Sequence, residues 1–253
     1  MLCVYWAHEQ THERTPMKEL RQFTSARVGL GRTGNSLPTR ELLDFQLAHA
    51  RARDAVHFPF DSRALAAEIE AAGWSSIVLK SAARNRAEYL RRPDFGRKLD
   101  AGSREQLEAL QNGFDTIYII ADGLSPLAVH RHATGLLQEM SPDPRTPVVI
   151  VEQGRVAIGD EIGELLHASL AVVLIGERPG LSSPDSLGVY LTWAPRVGRT
   201  DAERNCISNI HPAGLTTGAA SELLRLLISE THLRQMSGVR GPRQLPANCT
   251  ESL

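Results

Sequence analysis

The hydrophobic positions of the chain change their spacing near residue 113. Between residues 23 and 112 the pattern is mainly helical. Pro38 suits the first turn of a helix, and apolar residues follow it at helical spacing, namely Leu42, Phe45, Ala52 and Val56. A second run, SRALAAEIEAA, has the same period and stops at Gly73. We therefore predict a mainly helical N-terminal lobe over residues 23–112.

From residue 113 onward, short apolar runs rich in β-branched residues alternate with helical patterns. The apolar runs are DTIYIIADG, TPVVIVEQG, SLAVVLIGERPG, LGVYLTWAP and NCISNI. The helical segments are LSPLAVHRHATGLLQEM, IGDEIGELL and LTTGAASELLRLLISETHLRQM. Such alternation is typical of a parallel sheet covered by helices. We predict an α/β fold whose largely parallel sheet occupies residues 113–237.

The two ends and the composition narrow the class of protein. Residues 1–22 and 238–253 lack a clear hydrophobic period, and we predict a poorly ordered arm and tail. The 28 basic and 29 acidic residues give a net charge of −1, which provides no general attraction to nucleic acid or to a membrane surface. No apolar run has the length of a signal peptide or membrane span, and the three cysteines lack metal-finger spacing. These features favour a soluble, cytoplasmic protein.

The stretch GLGRTG, from Gly29 to Gly34, matches the G-x-G-x-x-G spacing of dinucleotide-binding loops. A loop of that kind follows a buried strand and opens a helix. Here the polar sequence FTSARV precedes the stretch, and Pro38 delays the helix by four residues. We therefore interpret GLGRTG as a glycine-rich turn, not as a phosphate cradle.

Three other features allow a structural and a functional interpretation. Asp122 and Ser125 follow a strand, where they can cap the next helix or bind a ligand at the sheet edge. The arginine-rich stretch AARNRAEYLRRPDFGRKL is either a solvated helix face or a surface for an acidic partner. Cys206 is interpreted as a small buried thiol in preference to a nucleophile, because its sequence neighbours include no His or Asp.

Several longer stretches together resemble the small (light) subunit of ethanolamine ammonia-lyase. They are TSARVGLGRTG, ADGLSPLAV, GRVAIGDEIGE, VVLIGERPGLSSPDSLGVYLTWAP and DAERNCISNI, in that order over residues 24–237. The resemblance implies a Rossmann-like domain that closes over the mouth of a TIM-barrel large subunit. It also implies heterodimers that pair into tetramers and then trimerise. The assembly would lie free in the cytoplasm or inside a bacterial microcompartment.

The reaction that the resemblance implies is the radical conversion of ethanolamine to acetaldehyde and ammonia. Adenosylcobalamin would lie between the two subunits, and homolysis of its Co–C bond would start the reaction. Substrate-binding residues are expected on the large subunit, and neither a catalytic residue nor a metal ligand is expected in this chain. The cofactor is expected to be base-on, because His130 stands where the D-x-H-x-x-G signature of proteins that detach its lower base requires Asp.

The family's cofactor contacts carry over to three matched motifs. Val156 is the Val of GRV, Glu177 is the Glu of GERPG, and Cys206 is the Cys of CISN. A carboxylate can accept hydrogen bonds from the amide groups at the corrin rim, whereas valine offers apolar contact and a thiol packs closely. We further expect GLGRTG to contact the large subunit. The residues alone leave two other functions open, a nucleotide-dependent oxidoreductase and an adaptor that touches no cofactor.

Overall fold

The computed structural model describes residues 23–24, 26–110 and 113–240. The chain divides into two compact units, residues 1–50 and 51–253. The predicted N-terminal arm lies outside the described residues, and so does the predicted tail beyond residue 240. Within the described ranges, no helix combines the length and the apolar character needed to cross a membrane.

The first unit contains the glycine-rich turn that the sequence predicts. The φ angles are 61°, 79° and 61° at Gly29, Gly31 and Gly34. These values lie in the left-handed region, which glycine adopts without a steric cost. Thr33 and Ser36 then exchange two backbone hydrogen bonds of 2.8 and 3.1 Å. Helix α1, Thr39–His57, begins directly after Pro38, as predicted, and extends past the boundary between the units.

The second unit is built on one six-stranded sheet. In chain order its helices and strands are α2 Ser62–Ala71, β1 Ser76–Lys80, α3 Arg86–Arg91, α4 Ala101–Glu108, β2 Thr116–Ala121, α5 Pro126–Met140, β3 Val148–Glu152, α6 Ile158–Leu165, β4 Leu170–Gly176, β5 Leu187–Trp193, β6 Arg204–Ile210 and α7 Thr217–Arg234. Every strand and helix that the sequence predicts after residue 113 is present.

The order of the strands across the sheet is β1-β3-β2-β4-β5-β6. The first four strands in this order are parallel to one another, and β5 is antiparallel to both of its neighbours. The predicted α/β fold with a largely parallel sheet is therefore confirmed. All seven residues of β4 are buried, because helices cover both faces of the parallel part.

Two hydrophobic layers enclose the sheet. On one face α2, α5 and α7 contribute Leu65, Leu136 and Leu224 to the core. On the other face α4 and α6 contribute Leu107 and Ile162. Complete burial of one such side chain stabilises the fold by roughly 1.5–3 kcal/mol, so each layer contributes to the free energy of unfolding.

The strand β1 is the one element of the sheet that the sequence pattern does not predict. It lies within the segment predicted to be mainly helical, and it pairs with β3 from Ser76↔Val148 to Lys80↔Glu152. Its five residues, SIVLK, include only three apolar ones, which is too short for a clear period. The segment is thus mainly helical but also supplies an edge strand. That residues 23–112 form a separate lobe stays a prediction.

The order of the strands creates a divergence point at the carboxyl edge of the sheet. Helix α5 leads from β2 to β3, the neighbour of β2 on one side in the sheet. Helix α6 leads from β3 across β2 to β4, the neighbour of β2 on the other side. Because α5 packs on one face of the sheet and α6 on the other, the exit loops of β2 and β3 lead to opposite faces, whereas the loop after β4 leads to its antiparallel neighbour β5. In open α/β sheets a crevice forms at such a point, and ligands bind there.

Candidate functional site

The edge between β2 and β4 depends on two glycines that let the backbones approach closely. Leu124 N–H donates to Gly176 O at 2.9 Å. A Cβ atom on Gly176 would lie 2.0 Å from Ser125 O, and one on Gly123 would lie 2.2 Å from Gly176 O. Because both distances are far below van der Waals contact, side chains are excluded and the floor of the crevice is bare backbone.

Asp122 lies buried at the end of β2 and ties this edge to the next loop. Its Oδ1 accepts a hydrogen bond from Gly154 N–H at 3.0 Å, and its Oδ2 lies 2.9 Å from Arg86 Nη1. Burial raises the pKa of Asp122 to about 7, although the Arg86 charge and the backbone donors oppose this rise. Ser125, and not Asp122, caps helix α5, by accepting from Ala128 N–H. Asp122 therefore has a separate role as an anchor.

The loop after β3 carries Val156 and is held in place by Tyr89. The Tyr89 hydroxyl donates to Gly154 O at 3.0 Å, and the residue is completely buried. The guanidinium carbons of Arg86 and Arg155 lie 4.8 and 4.3 Å from the centre of its ring. Cation–π contacts of this kind orient both guanidinium planes. Tyr89 thus holds the loop in place through Gly154 and Arg155 before any ligand binds.

Glu177 follows β4 directly, and its carboxylate is held at one oxygen. Ser186 Oγ donates to Oε2 at 2.5 Å, and Asn209 N–H donates to the same oxygen at 3.2 Å. Gly188 leaves room for the side chain, since a Cβ there would lie 2.9 Å from Oε1. Among the described residues no donor hydrogen-bonds to Oε1. The carboxylate is therefore oriented and still able to accept a hydrogen bond from a ligand.

Cys206 lies on β6, directly opposite Tyr190 of β5. The thiol is exposed, so the interpretation as a small buried thiol is wrong. The reason is that Cys206 lies on an edge strand, where one sheet neighbour is missing. Partial withdrawal from water raises the pKa of Cys206, the Tyr190 hydrogen bond opposes this, and the charge of Glu177 adds to it. The thiol is therefore protonated at neutral pH.

One cleft of about 420 Å³ connects these features. Val156, Glu177 and Tyr190 line it together with Arg155 and the glycine edge. The structure thus brings Val156 and Glu177 into one cleft and links Cys206 to it through Tyr190. Sequence reasoning misses Tyr190 and Arg155, because one lies inside an ordinary strand pattern and the other has no local motif beside it.

The sequence allows the arginine-rich stretch to be a solvated helix face or a surface for an acidic partner, and neither interpretation describes all of its arginines. Arg84 and Arg92 form exposed ion pairs, as expected for a solvated face. Arg86 instead points inward, donating to the carbonyl oxygens of Val56 and Gly123 as well as to the Asp122 carboxylate. The inward position explains why one member of an exposed-looking basic run supports the crevice.

The two histidines of HRHATG have different neighbours. His130 Nε2 accepts from Asp61 N–H at 3.1 Å, whereas His132 Nε2 lies 3.8 Å from Asp185 Oδ2. Over the described part of the chain, no group of three His, Cys, Asp or Glu side chains is arranged to hold a metal ion. The chemical resources of the site are therefore one oriented carboxylate, one neutral thiol, one tyrosine and several guanidinium groups.

Comparison with known proteins identifies the family. The family of the ethanolamine ammonia-lyase light chain (EutC) matches residues 14–240. The ethanolamine ammonia-lyase small subunit of Pseudomonas fluorescens is 57% identical over 236 residues, which cover 89% of this chain and 86% of that one. The Ralstonia nicotianae small subunit is 54% identical, covering 90% and 88%, and the Pseudomonas putida one is 51% identical, covering 97% and 94%. This chain therefore belongs to the ethanolamine ammonia-lyase light chain (small subunit) family and is a component of a lyase.

Proposed function

We propose that this chain is the small subunit of an adenosylcobalamin-dependent ethanolamine ammonia-lyase, and that its crevice forms one wall of the cofactor site. The large subunit forms the other wall and binds ethanolamine. The observation that carries the proposal is the meeting of Val156, Glu177 and the Tyr190–Cys206 pair at the divergence point of the sheet.

The residues of the crevice fit the chemistry of a corrin. The corrin rim carries amide groups, and Glu177 offers them an oriented carboxylate oxygen. Val156 supplies apolar surface in the same cleft. The protonated thiol of Cys206 suits close packing better than metal binding, which needs the thiolate. A base-on cofactor requires no cobalt ligand from this chain.

The role of this chain is positioning. When bound, adenosylcobalamin supplies the radical chemistry that cleaves the C–N bond of ethanolamine. The chain's own residues hold the corrin rim, and the backbone-lined edge at Gly123 and Gly176 helps to exclude water beneath it. No catalytic residue is assigned to this chain. The proposed assembly is a hetero-oligomer with the large subunit in the cytoplasm, either free or inside a bacterial microcompartment.

Corrin retention tests the proposal. This chain would be mixed with the large subunit and adenosylcobalamin, passed through gel filtration, and examined for corrin absorbance. We expect the complex to retain the corrin and Glu177→Ala to weaken its binding by about tenfold or more, since one charge-assisted hydrogen bond is lost. Glu222→Ala is the matched control, because Glu222 is exposed on α7 in the opposite layer.

Two outcomes would contradict the proposal. A complex that assembles but retains no corrin would favour the adaptor function. Binding of NADH by the isolated chain, measured by the fluorescence of the nucleotide, would favour an oxidoreductase.

A further inference from the structure

A second, strongly basic cleft adjoins the proposed cofactor wall. It has a volume of about 440 Å³, and Arg97, Arg155, Arg199 and Arg204 line it. Asp201, which is fully exposed, is the one carboxylate of its lining, whereas the same lining contains four arginines. Arg155 and Val156 line both this cleft and the one that contains Glu177. A ligand in contact with Val156 is therefore next to an excess of positive charge.

Two of the four arginines already have partners within the fold. Arg204 forms a buried bidentate pair with Asp160, with N–O distances of 2.6 and 2.7 Å, and donates to Thr192 Oγ1. Arg199 donates to Glu203 Oε1 at 2.5 Å and to Ala194 O. These two side chains shape the cleft, and although Arg204 Nε is also buried without a hydrogen bond, the charge of each is matched by a carboxylate.

Arg97 and Arg155 differ from them. In the described residues neither guanidinium group has a carboxylate partner, and Nε of Arg155 is buried without a hydrogen bond. A buried N–H group without a partner is unfavourable and is usually satisfied by water or by a ligand. The two arginines provide the unmatched charge of the cleft.

Arg155 is also held in one orientation before a ligand arrives. Its backbone N–H donates to Gly96 O at 2.7 Å, and its guanidinium carbon lies 4.3 Å from the centre of the Tyr89 ring. Gly96 is required for this close packing, since a Cβ there would lie 2.9 Å from Arg155 Cγ. The same contact brings Arg97, the next residue, to the rim of the cleft. Oriented arginine pairs are well suited to phosphate oxygens.

We propose that Arg97 and Arg155 bind the phosphodiester of the ligand whose corrin contacts Val156. This inference rests on the proposed function. A cobalamin carries one phosphodiester, in the chain that links the corrin to its lower base. This anionic group can accept hydrogen bonds from two guanidinium groups that have no carboxylate partner. The basic cleft is thus a subsite that recognises the nucleotide tail of the cofactor, separate from the amide contacts of Glu177.

The test compares two corrins that differ only in the phosphate group. Adenosylcobinamide and adenosylcobinamide phosphate both lack the lower base, and only the second carries a phosphate. Dissociation constants for both would be measured by absorbance with the assembled two-chain complex. We expect the parent complex to prefer the phosphate form by about tenfold or more, because charge-assisted hydrogen bonds to an anion are strong. Arg155→Gln and Arg97→Gln should each reduce that preference severalfold and change the affinity for adenosylcobinamide less than about twofold.

Matched variants separate this subsite from general effects. Arg63→Gln removes an exposed arginine from α2, on the opposite layer, and should leave the preference unchanged. Arg97 is exposed, so its variant should fold normally, which circular dichroism would verify. Inorganic phosphate should compete with the phosphate form for the parent complex and compete less in the two variants.

Three results would overturn the inference. The parent complex could bind both corrins equally, in which case the phosphate has no subsite here. The variants could weaken the binding of both corrins equally. They could also reduce assembly with the large subunit when no corrin is present, and this result would indicate that the arginines bind a carboxylate of the large subunit. If any of these three results occurs while Glu177→Ala still weakens corrin binding, only the subsite fails. If the parent complex retains no adenosylcobalamin in the gel-filtration assay, the proposed function fails as well.

Discussion

The anchor Asp122 gives a prediction whose sign is fixed by the structure. Because the carboxyl group is buried, its pKa in the folded chain is raised to about 7, whereas the ordinary value is 3.8. The folded state therefore binds a proton more tightly than the unfolded state does. The stabilisation from this group is complete below about pH 4 and is lost as the pH rises through 7.

The magnitude follows from the pKa difference. Each pH unit over which only the folded state holds the proton changes the free energy of unfolding by about 1.4 kcal/mol. Between pH 5 and pH 8 this condition holds for roughly two units, so the parent should lose about 2.5 kcal/mol relative to a variant that cannot titrate. Asp122→Asn is that variant, and the comparison uses the pH slope, so any constant offset from the altered Arg86 contact cancels.

The assay is urea unfolding followed by circular dichroism at several pH values from 5 to 8. As the pH rises from 5 to 8, the free energy of unfolding of the parent should fall relative to that of Asp122→Asn. The control is Asp143→Asn: the exposed Asp143 pairs with Arg145, whose hydrogen bonds lower its pKa to about 2, so its contribution is lost only in acid. A difference that is flat with pH, or that grows in favour of the parent, would refute the reasoning about Asp122.

Three further predictions concern packing, the buried ion pair and the thiol. Gly176→Ala should lower the free energy of unfolding by at least about 1–3 kcal/mol, because its Cβ meets backbone, whereas Gly135→Ala should raise it by about 0.5–1 kcal/mol, because that helical position is open. Arg204→Ala should cost about 3–5 kcal/mol in urea unfolding, since its buried carboxylate partner is left alone, whereas the exposed Arg145→Ala should show no measurable change. Cys206, followed by mass spectrometry, should react with iodoacetamide at pH 8 more slowly than a cysteine in a short peptide, because its pKa is raised. Equal rates would contradict that reasoning.

Much of the fold is predictable because its strands and helices are strongly patterned. The run LAVVLIG is apolar on both faces, and the structure buries it completely as β4. The helix after Ser125 begins with Pro126, and Ser125, one of the two caps that the sequence allows, is the residue that caps it. In contrast, β1 has only three apolar residues, and pairing with β3, which is distant in sequence, determines its conformation. Local pattern cannot encode a long-range pairing of that kind.

The site divides in the same way. Val156, Glu177 and Cys206 are predicted as site residues through motifs that resemble a family, whereas Tyr190 and Arg155 have no such signal. Their importance comes from what the sheet order places together: β5 carries Tyr190 beside β6, and the loop after β3 brings Arg155 against a ring from α3. The exposure of Cys206 likewise follows from the edge position of β6, which the sequence of one strand does not reveal.

The most direct test of the central claim is a structure of this chain in complex with the large subunit and adenosylcobalamin. We expect atoms of the corrin to lie within about 4 Å of Val156, Glu177 and Cys206, the distance of ordinary side-chain contact. A corrin that touches only the large subunit, with the crevice between β2 and β4 left empty, would contradict it.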